Sequence, residues 1–353
     1  MVIATDTEMP TTRQVVRLGI IGAGRIGQVH CLALSRNPKA EVVIVADFFV
    51  KAAEACAQKF GIPSAVQDWK DVIRNPAVDG VIICSPSDTH HEIILGAAKA
   101  GKHIFCEKPI DYNLKRIDEA LATVAQSGVK FQLGFQRRFD ANFQRVRQAV
   151  QGGEIGEPFM LNIKSFDPAP PPLAYLKQSG GLFFDMMTHD FDMARFVVGS
   201  EITEVTATAT SFDKEITAIG DITTAIVSLK FENGAVGVIQ CCRKAVYGYD
   251  QRLEVLGSEG AVDINNNYPN TATVYGADKI KRDLPLNFFM DRYKQAYEDE
   301  MISFVDAVAN DTPTAVTGMD GKIPVVLAFA ATKSLQENRT VKVNEILYGK
   351  SVM

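Results

Sequence analysis

Near-continuous apolar runs alternate with helix-length amphipathic segments over the first third of the chain. The runs fall at 15–21, 41–46, 80–84, 103–106 and 130–133, with a weaker one near Ser64. Between them, 26–35, 51–60, 68–74, 89–100 and 114–127 carry helical spacing. Strands that are apolar on both faces and separated by helices predict a parallel sheet covered on both sides.

The rhythm changes after Gly134. A helix is expected over 140–150, a strand over 159–166, a proline-rich loop over 168–172, and then a helix carrying Asp185 and His189. Strands follow at 202–211, 222–231, 236–242, 252–257 and 261–264, with turns such as Glu232-Asn233-Gly234, and they suggest a largely antiparallel sheet. Helices over 292–309 and 323–337 close the pattern. The predicted fold class is therefore α/β followed by α+β. Residues 15–137 are expected to form an α/β domain of the Rossmann type, 138–353 an α+β domain with a mostly antiparallel sheet, and 1–14 a flexible tail.

Composition narrows the function. With 353 residues, 46% of them hydrophobic, two domains are comfortable. The net charge of −5 comes from dispersed Lys, Arg, Asp and Glu, so no basic stripe offers itself to nucleic acid or to an anionic membrane. Cys31, Cys56, Cys84, Cys106, Cys241 and Cys242 form no CxxC pair, which fits a reducing, cytoplasmic setting. No signal peptide and no run of transmembrane length is expected.

Gly22-Ala23-Gly24-Arg25-Ile26-Gly27 follows a strand and opens a helix, the context in which GxGxxG reads as a dinucleotide site. Gly22 permits the turn, Gly24 lets the backbone approach a pyrophosphate, and Gly27 lets helix and strand pack closely. Asp47 closes the second strand, where a carboxylate accepts from ribose hydroxyls and repels a 2′-phosphate, favouring NAD over NADP; Asp is also common as a helix cap. Ser85 and Pro86 follow the fourth strand at the carboxyl edge of the sheet, where ligands of open α/β sheets bind. His90 and His91 read as structural, since neighbours on a helix point apart and no third metal ligand stands near. No metal site is expected.

Lys108, between Glu107 and Pro109 after the fifth strand, is aimed into the same crevice, where an ammonium could stabilise an alkoxide. Asp185 and His189 are four apart, hence neighbours on one helix. His189 is the expected general base, and Asp185 either orients it or accepts from a neighbouring substrate hydroxyl. Asp192, on the same face, is placed to hold the other ring nitrogen. Asp167, Tyr175, Tyr247 and Tyr249 are hydroxyl partners by residue type.

The residues GAGRIG with Asp47, EKP at 107–109, GFQRRFD at 134–140 and GGLFFDMMTHDFD at 180–192 resemble the glucose-fructose oxidoreductase and inositol dehydrogenase family, over essentially the whole chain after residue 14. The resemblance implies that Lys108, Asp185 and His189 match the catalytic lysine, aspartate and histidine. It implies cofactor contacts from the glycine motif including Arg25 and Ile26, from Ser85, Pro86, Glu107 and Lys108, and from Gln136. Within the family, 134–140 and 185–196 are most like inositol dehydrogenases, which would put Arg137 or Arg138 at the polyol pocket beside Lys108, Asp167, Asp185 and His189. The implied reaction is NAD-dependent oxidation of a ring hydroxyl of myo-inositol to the keto-inositol. Scyllo-inositol or another polyol or sugar is the alternative substrate, a non-catalytic NAD sensor the alternative of another class, and a homotetramer the implied assembly.

Overall fold

The computed structural model describes residues 15–348; the tail expected over 1–14 lies outside them. Six strands, β1 (Val16–Ile21), β2 (Ala40–Ala46), β3 (Ser64–Val66), β4 (Gly80–Ile83), β5 (His103–Glu107) and β6 (Phe131–Gly134), form one parallel sheet in the order β3-β2-β1-β4-β5-β6. The order reverses direction between β1 and β4, so a crevice opens beyond their carboxyl ends. Leu18, Ile20, Val81, Ile82 and Phe105 are fully buried, as expected of strands covered on both faces.

A second sheet combines β7 (Pro158–Phe166), β8 (Ile202–Thr210), β9 (Thr224–Phe231), β10 (Val236–Cys242), β11 (Asp250–Gly257), β12 (Ala261–Ile264) and β15 (Val341–Lys342). Its order is β12-β11-β7-β10-β9-β8-β15; only β7 and β10 run parallel. A small hairpin, β13 (Thr273–Tyr275) with β14 (Ile280–Arg282), stands apart. Alternation along β9 buries Ala225, Val227, Leu229 and Phe231. Those residues pack towards the helices Met187–Val198 and Gly318–Glu337, while the opposite face exposes Met160, Ile226, Val236 and Leu256.

The helix Lys294–Ala309 departs from a simple division at residue 137. Its Met301, Phe304 and Val305 are buried with Leu18, Ile20, Leu34 and Phe105, so it completes the core on one face of the first sheet. Two further differences concern the site. A 3-10 turn, Gln136–Phe139, precedes the helix Ala141–Gln151. The single helix expected at Asp185 is two pieces, Leu182–Asp185 and Met187–Val198, broken at Met186. All six cysteines are free, and no helix among the described residues is long and apolar enough to cross a membrane.

Candidate active site

Gly22 sits at φ +102°, and a Cβ there would come within 2.7 Å of the backbone at Cys84 and Ser85. A Cβ on Gly27 would collide with the Gly22 carbonyl at 1.9 Å, whereas one on Gly24 would meet nothing within 4 Å. The first and third glycines are thus demanded by the protein itself. The second is exposed at the start of the helix Arg25–Ser35, facing the space a pyrophosphate would fill. Asp47 accepts from the Ala23 N–H at 2.8 Å and the Phe49 N–H at 2.9 Å, tying the glycine turn to the end of β2. Asp47 is not the helix cap, since the helix Val50–Phe60 is entered at Phe49 with no side-chain cap, and each Asp47 oxygen still has a lone pair to offer a ribose hydroxyl. Arg25 is exposed, its guanidinium 5.7 Å from the ring centre of Phe288. These residues fit a bound NAD.

His90 is buried and spans two loops: its Nδ1 lies 2.7 Å from the Pro109 carbonyl and its Nε2 2.9 Å from that of Ser85. His91 faces Glu119 at 3.0 Å. Both histidines are accounted for by protein partners. His90 brings the Ser85-Pro86 loop beside the Glu107-Lys108-Pro109 loop, and Gln136 lies buried on the 3-10 turn that follows the neighbouring β6.

Lys108 crosses to the second half of the chain. Its Nζ donates to the Asp185 backbone carbonyl at 2.8 Å and stands 3.8 Å from the Asp185 carboxylate. That carboxylate is the hub of the site, accepting from the Tyr175 hydroxyl at 2.8 Å and from Arg243 at 3.0 Å. Arg243, fully buried, also reaches Asp221 at 3.4 Å, and Asp221 in turn accepts from the Leu182 N–H that begins the short helix.

His189 lies one turn beyond Asp185, yet the two do not bond. Its N–H donates to the Met186 carbonyl instead of that of Asp185. Its Nδ1 is buried without a partner, and its ring meets Phe135 edge-on at 5.8 Å. Burial pulls the imidazole well below its ordinary range, and the charges of Lys108 and Arg137 add to this. It is consequently neutral near pH 7, the form able to accept a proton.

Several expectations are corrected. Asp185 does not orient His189, because Tyr175, Arg243 and Lys108 claim it. Asp192 does not hold the ring either; it is buried against Arg138 at 2.7 Å, and Arg138 also binds Asp320 at 2.9 Å. Arg137 is spent on Asp190 at 2.6 Å and the Tyr249 hydroxyl at 3.3 Å, so neither arginine presents a free fork to a polyol. Tyr249 is buried under that contact, and Tyr247 donates to Asp250 at 2.6 Å.

Asp167, just beyond β7, keeps the expected neighbourhood. Burial pushes its carboxyl up to about 7, with Asp185 adding to the rise and Arg137 and Arg243 opposing it. Arg243 and Asp221 are the residues that sequence reasoning missed. The available signal was a charge directly after the apolar strand that ends in Cys241 and Cys242.

With this geometry in view, comparisons with known proteins agree on one lineage. Residues 16–135 match the family described as oxidoreductase family, NAD-binding Rossmann fold, and residues 143–263 match the GFO/IDH/MocA C-terminal domain. The chain is 42% identical to a myo-inositol 2-dehydrogenase of Thermotoga maritima, over 94% of this chain and all of that one. A crystal structure of a putative myo-inositol dehydrogenase from Sinorhizobium meliloti superposes with TM-score 0.90 at 44% identity, covering 93% of this chain and 99% of the other. That of a myo-inositol dehydrogenase from Lactobacillus casei, in complex with NAD(H) and myo-inositol, gives 0.85 at 27% identity, with 93% and 97% covered. The chain belongs to the GFO/IDH/MocA oxidoreductase family and is an NAD-dependent dehydrogenase.

Proposed function

We propose that the protein oxidises one ring hydroxyl of myo-inositol to the keto-inositol, with His189 as general base. The observation that carries this reading is a neutral, one-side-buried imidazole set one helical turn from a carboxylate and an ammonium that converge beside the cofactor crevice. Similarity to inositol dehydrogenases along nearly the full chain supports the choice of polyol.

The cofactor, when bound, supplies the hydride acceptor. The protein's own residues handle the proton and the hydroxyls. His189 takes the proton of the reacting hydroxyl as the carbonyl forms. Lys108, anchored on the Asp185 carbonyl, directs its remaining N–H bonds at that oxygen and stabilises its developing negative charge. Asp185 retains free lone pairs beside its bonds to Tyr175 and Arg243 and accepts from an adjacent ring hydroxyl. Asp167 accepts from another. The exposed apolar face holding Met160, Val236 and Leu256 is the surface for assembly into a homo-oligomer, a tetramer by family resemblance.

NADH formation with NAD and a panel of myo-inositol, scyllo-inositol, chiro-inositol and glucose tests the reading, with NADP in parallel. The expected result is preferred turnover of myo-inositol with NAD. Preference for another member replaces the substrate and keeps the chemistry. NAD binding with no turnover of any polyol would overturn the assignment in favour of a sensor.

A further inference from the structure

Behind the Lys108 loop, three elements bring ionisable side chains together. His30 comes from the helix that opens at the glycine turn, Glu107 ends β5, and Glu300 lies on the helix Lys294–Ala309. One nitrogen or oxygen of each lies within 4.8 Å of the others. His30 Nε2 is 2.7 Å from Glu107 Oε1. Glu300 is fully buried, and neither of its carboxyl oxygens has a hydrogen-bond partner among the described residues. Gly134 leaves the room this cluster needs, since a Cβ there would come within 3.2 Å of Glu107 Oε2.

We propose that Glu300 is a positioning residue, held as the neutral acid against Glu107 while His30 donates to Glu107 from the other side, so that the three fix the Glu107-Lys108-Pro109 loop against the cofactor-binding helix. Two carboxylates this close, with no Lys or Arg paired to either among the described residues, cannot both ionise out of water. The carboxyl without solvent keeps the proton, and burial followed by the charge of Glu107 pushes Glu300 well above the usual range. The remaining groups that face the pair, the thiols of Cys84 and Cys106 and the hydroxyl of Tyr297, supply no positive charge. Glu107 thus stays turned towards His30 and away from the Lys108 ammonium that the proposed reaction uses. Only the kinetic half of this inference rests on the inositol dehydrogenase reading.

The test compares full-length wild type with Glu300→Gln and Glu300→Leu by thermal melting, NAD titration, myo-inositol turnover and metal analysis of the purified protein. Glutamine keeps a neutral polar side chain of the same length without the titration. A raised folded-state pKa gives stability that is complete below the unfolded value and lost as pH rises towards the folded one. Glu300→Gln should therefore melt above wild type by a margin that widens from about pH 5 to about pH 8, because only wild type must hold a proton that its unfolded chain releases. Its kcat should stay near wild type, while Glu300→Leu loses roughly tenfold to a hundredfold through the displaced loop. The proposal is overturned by a Glu300→Gln protein less stable than wild type throughout that range, by one as slow as Glu300→Leu, or by a stoichiometric divalent metal in the wild type. The melting comparison decides the matter even if the leucine variant does not fold or inositol is not the substrate.

Discussion

The Asp185 backbone carbonyl accepts from the Lys108 ammonium at 2.8 Å, where an uninterrupted helix would have given it to the His189 N–H. The helix break at Met186 and the anchoring of Lys108 are one event. It turns the Asp185 carboxylate towards Tyr175 and Arg243 and leaves the His189 ring to itself. Lys108→Met removes both the anchor and the charge at the reacting oxygen. Its kcat on the preferred polyol should fall by about 10²- to 10³-fold with NAD binding largely retained, measured by steady-state kinetics and calorimetry.

His189 receives no carboxylate support, so its removal isolates proton transfer. His189→Ala should lower kcat by roughly 10²- to 10⁴-fold. Turnover equal to wild type in a folded His189→Ala protein would dispose of its role as base.

Arg243 neutralises two carboxylates from a fully buried position. Arg243→Leu leaves Asp221 without its cation and Asp185 with Lys108 alone, at 3.8 Å, which should cost about 3–5 kcal/mol in chemical denaturation at neutral pH. Loss of only a few tenths would mean that solvent reaches the pair.

Burial, with the charge of Asp185, raises the Asp167 carboxyl towards neutrality. Its folded-state value is raised to about 7, so the neutral acid dominates below and the anion above. If the anion accepts from a substrate hydroxyl, kcat/KM rises between about pH 6 and pH 8, and Asp167→Asn should flatten that limb. The same raised value means that its stabilising contribution is complete below its unfolded value and lost as pH rises through about 7. Asp167→Asn should then gain on wild type in melting temperature as pH rises across that interval; an unchanged rate profile would assign the limb elsewhere.

Asp47 lies where an adenosine ribose would meet the end of β2. Asp47→Ala should reduce discrimination against NADP by about tenfold, equivalent to about 1.4 kcal/mol. NAD should also bind less well, because Ala23 and Phe49 lose their acceptor. A wild type that already prefers NADP would refute the reading of this carboxylate.

The strands of both sheets except the two-residue β15 were legible in the chain because each is a local pattern, whether a continuous run such as 80–84 or the alternation of 222–231. The glycine turn was legible too, since its backbone demands fall within six residues. The EKP and DMMTH segments carried Lys108, Asp185 and His189 as residue types. What those side chains do to one another was decided only in three dimensions. Helical spacing made Asp185 and His189 partners, but Lys108 from 77 positions away captured the carbonyl between them, and Arg243 from 58 away captured the carboxylate. Arg137, Arg138 and Asp192 looked available along the chain, yet burial forced each to pair with the nearest opposite charge. Local propensity fixes the elements because it acts over a turn or a strand. The assignment of buried charges follows from desolvation, which penalises every unpaired one and is settled only when distant segments meet.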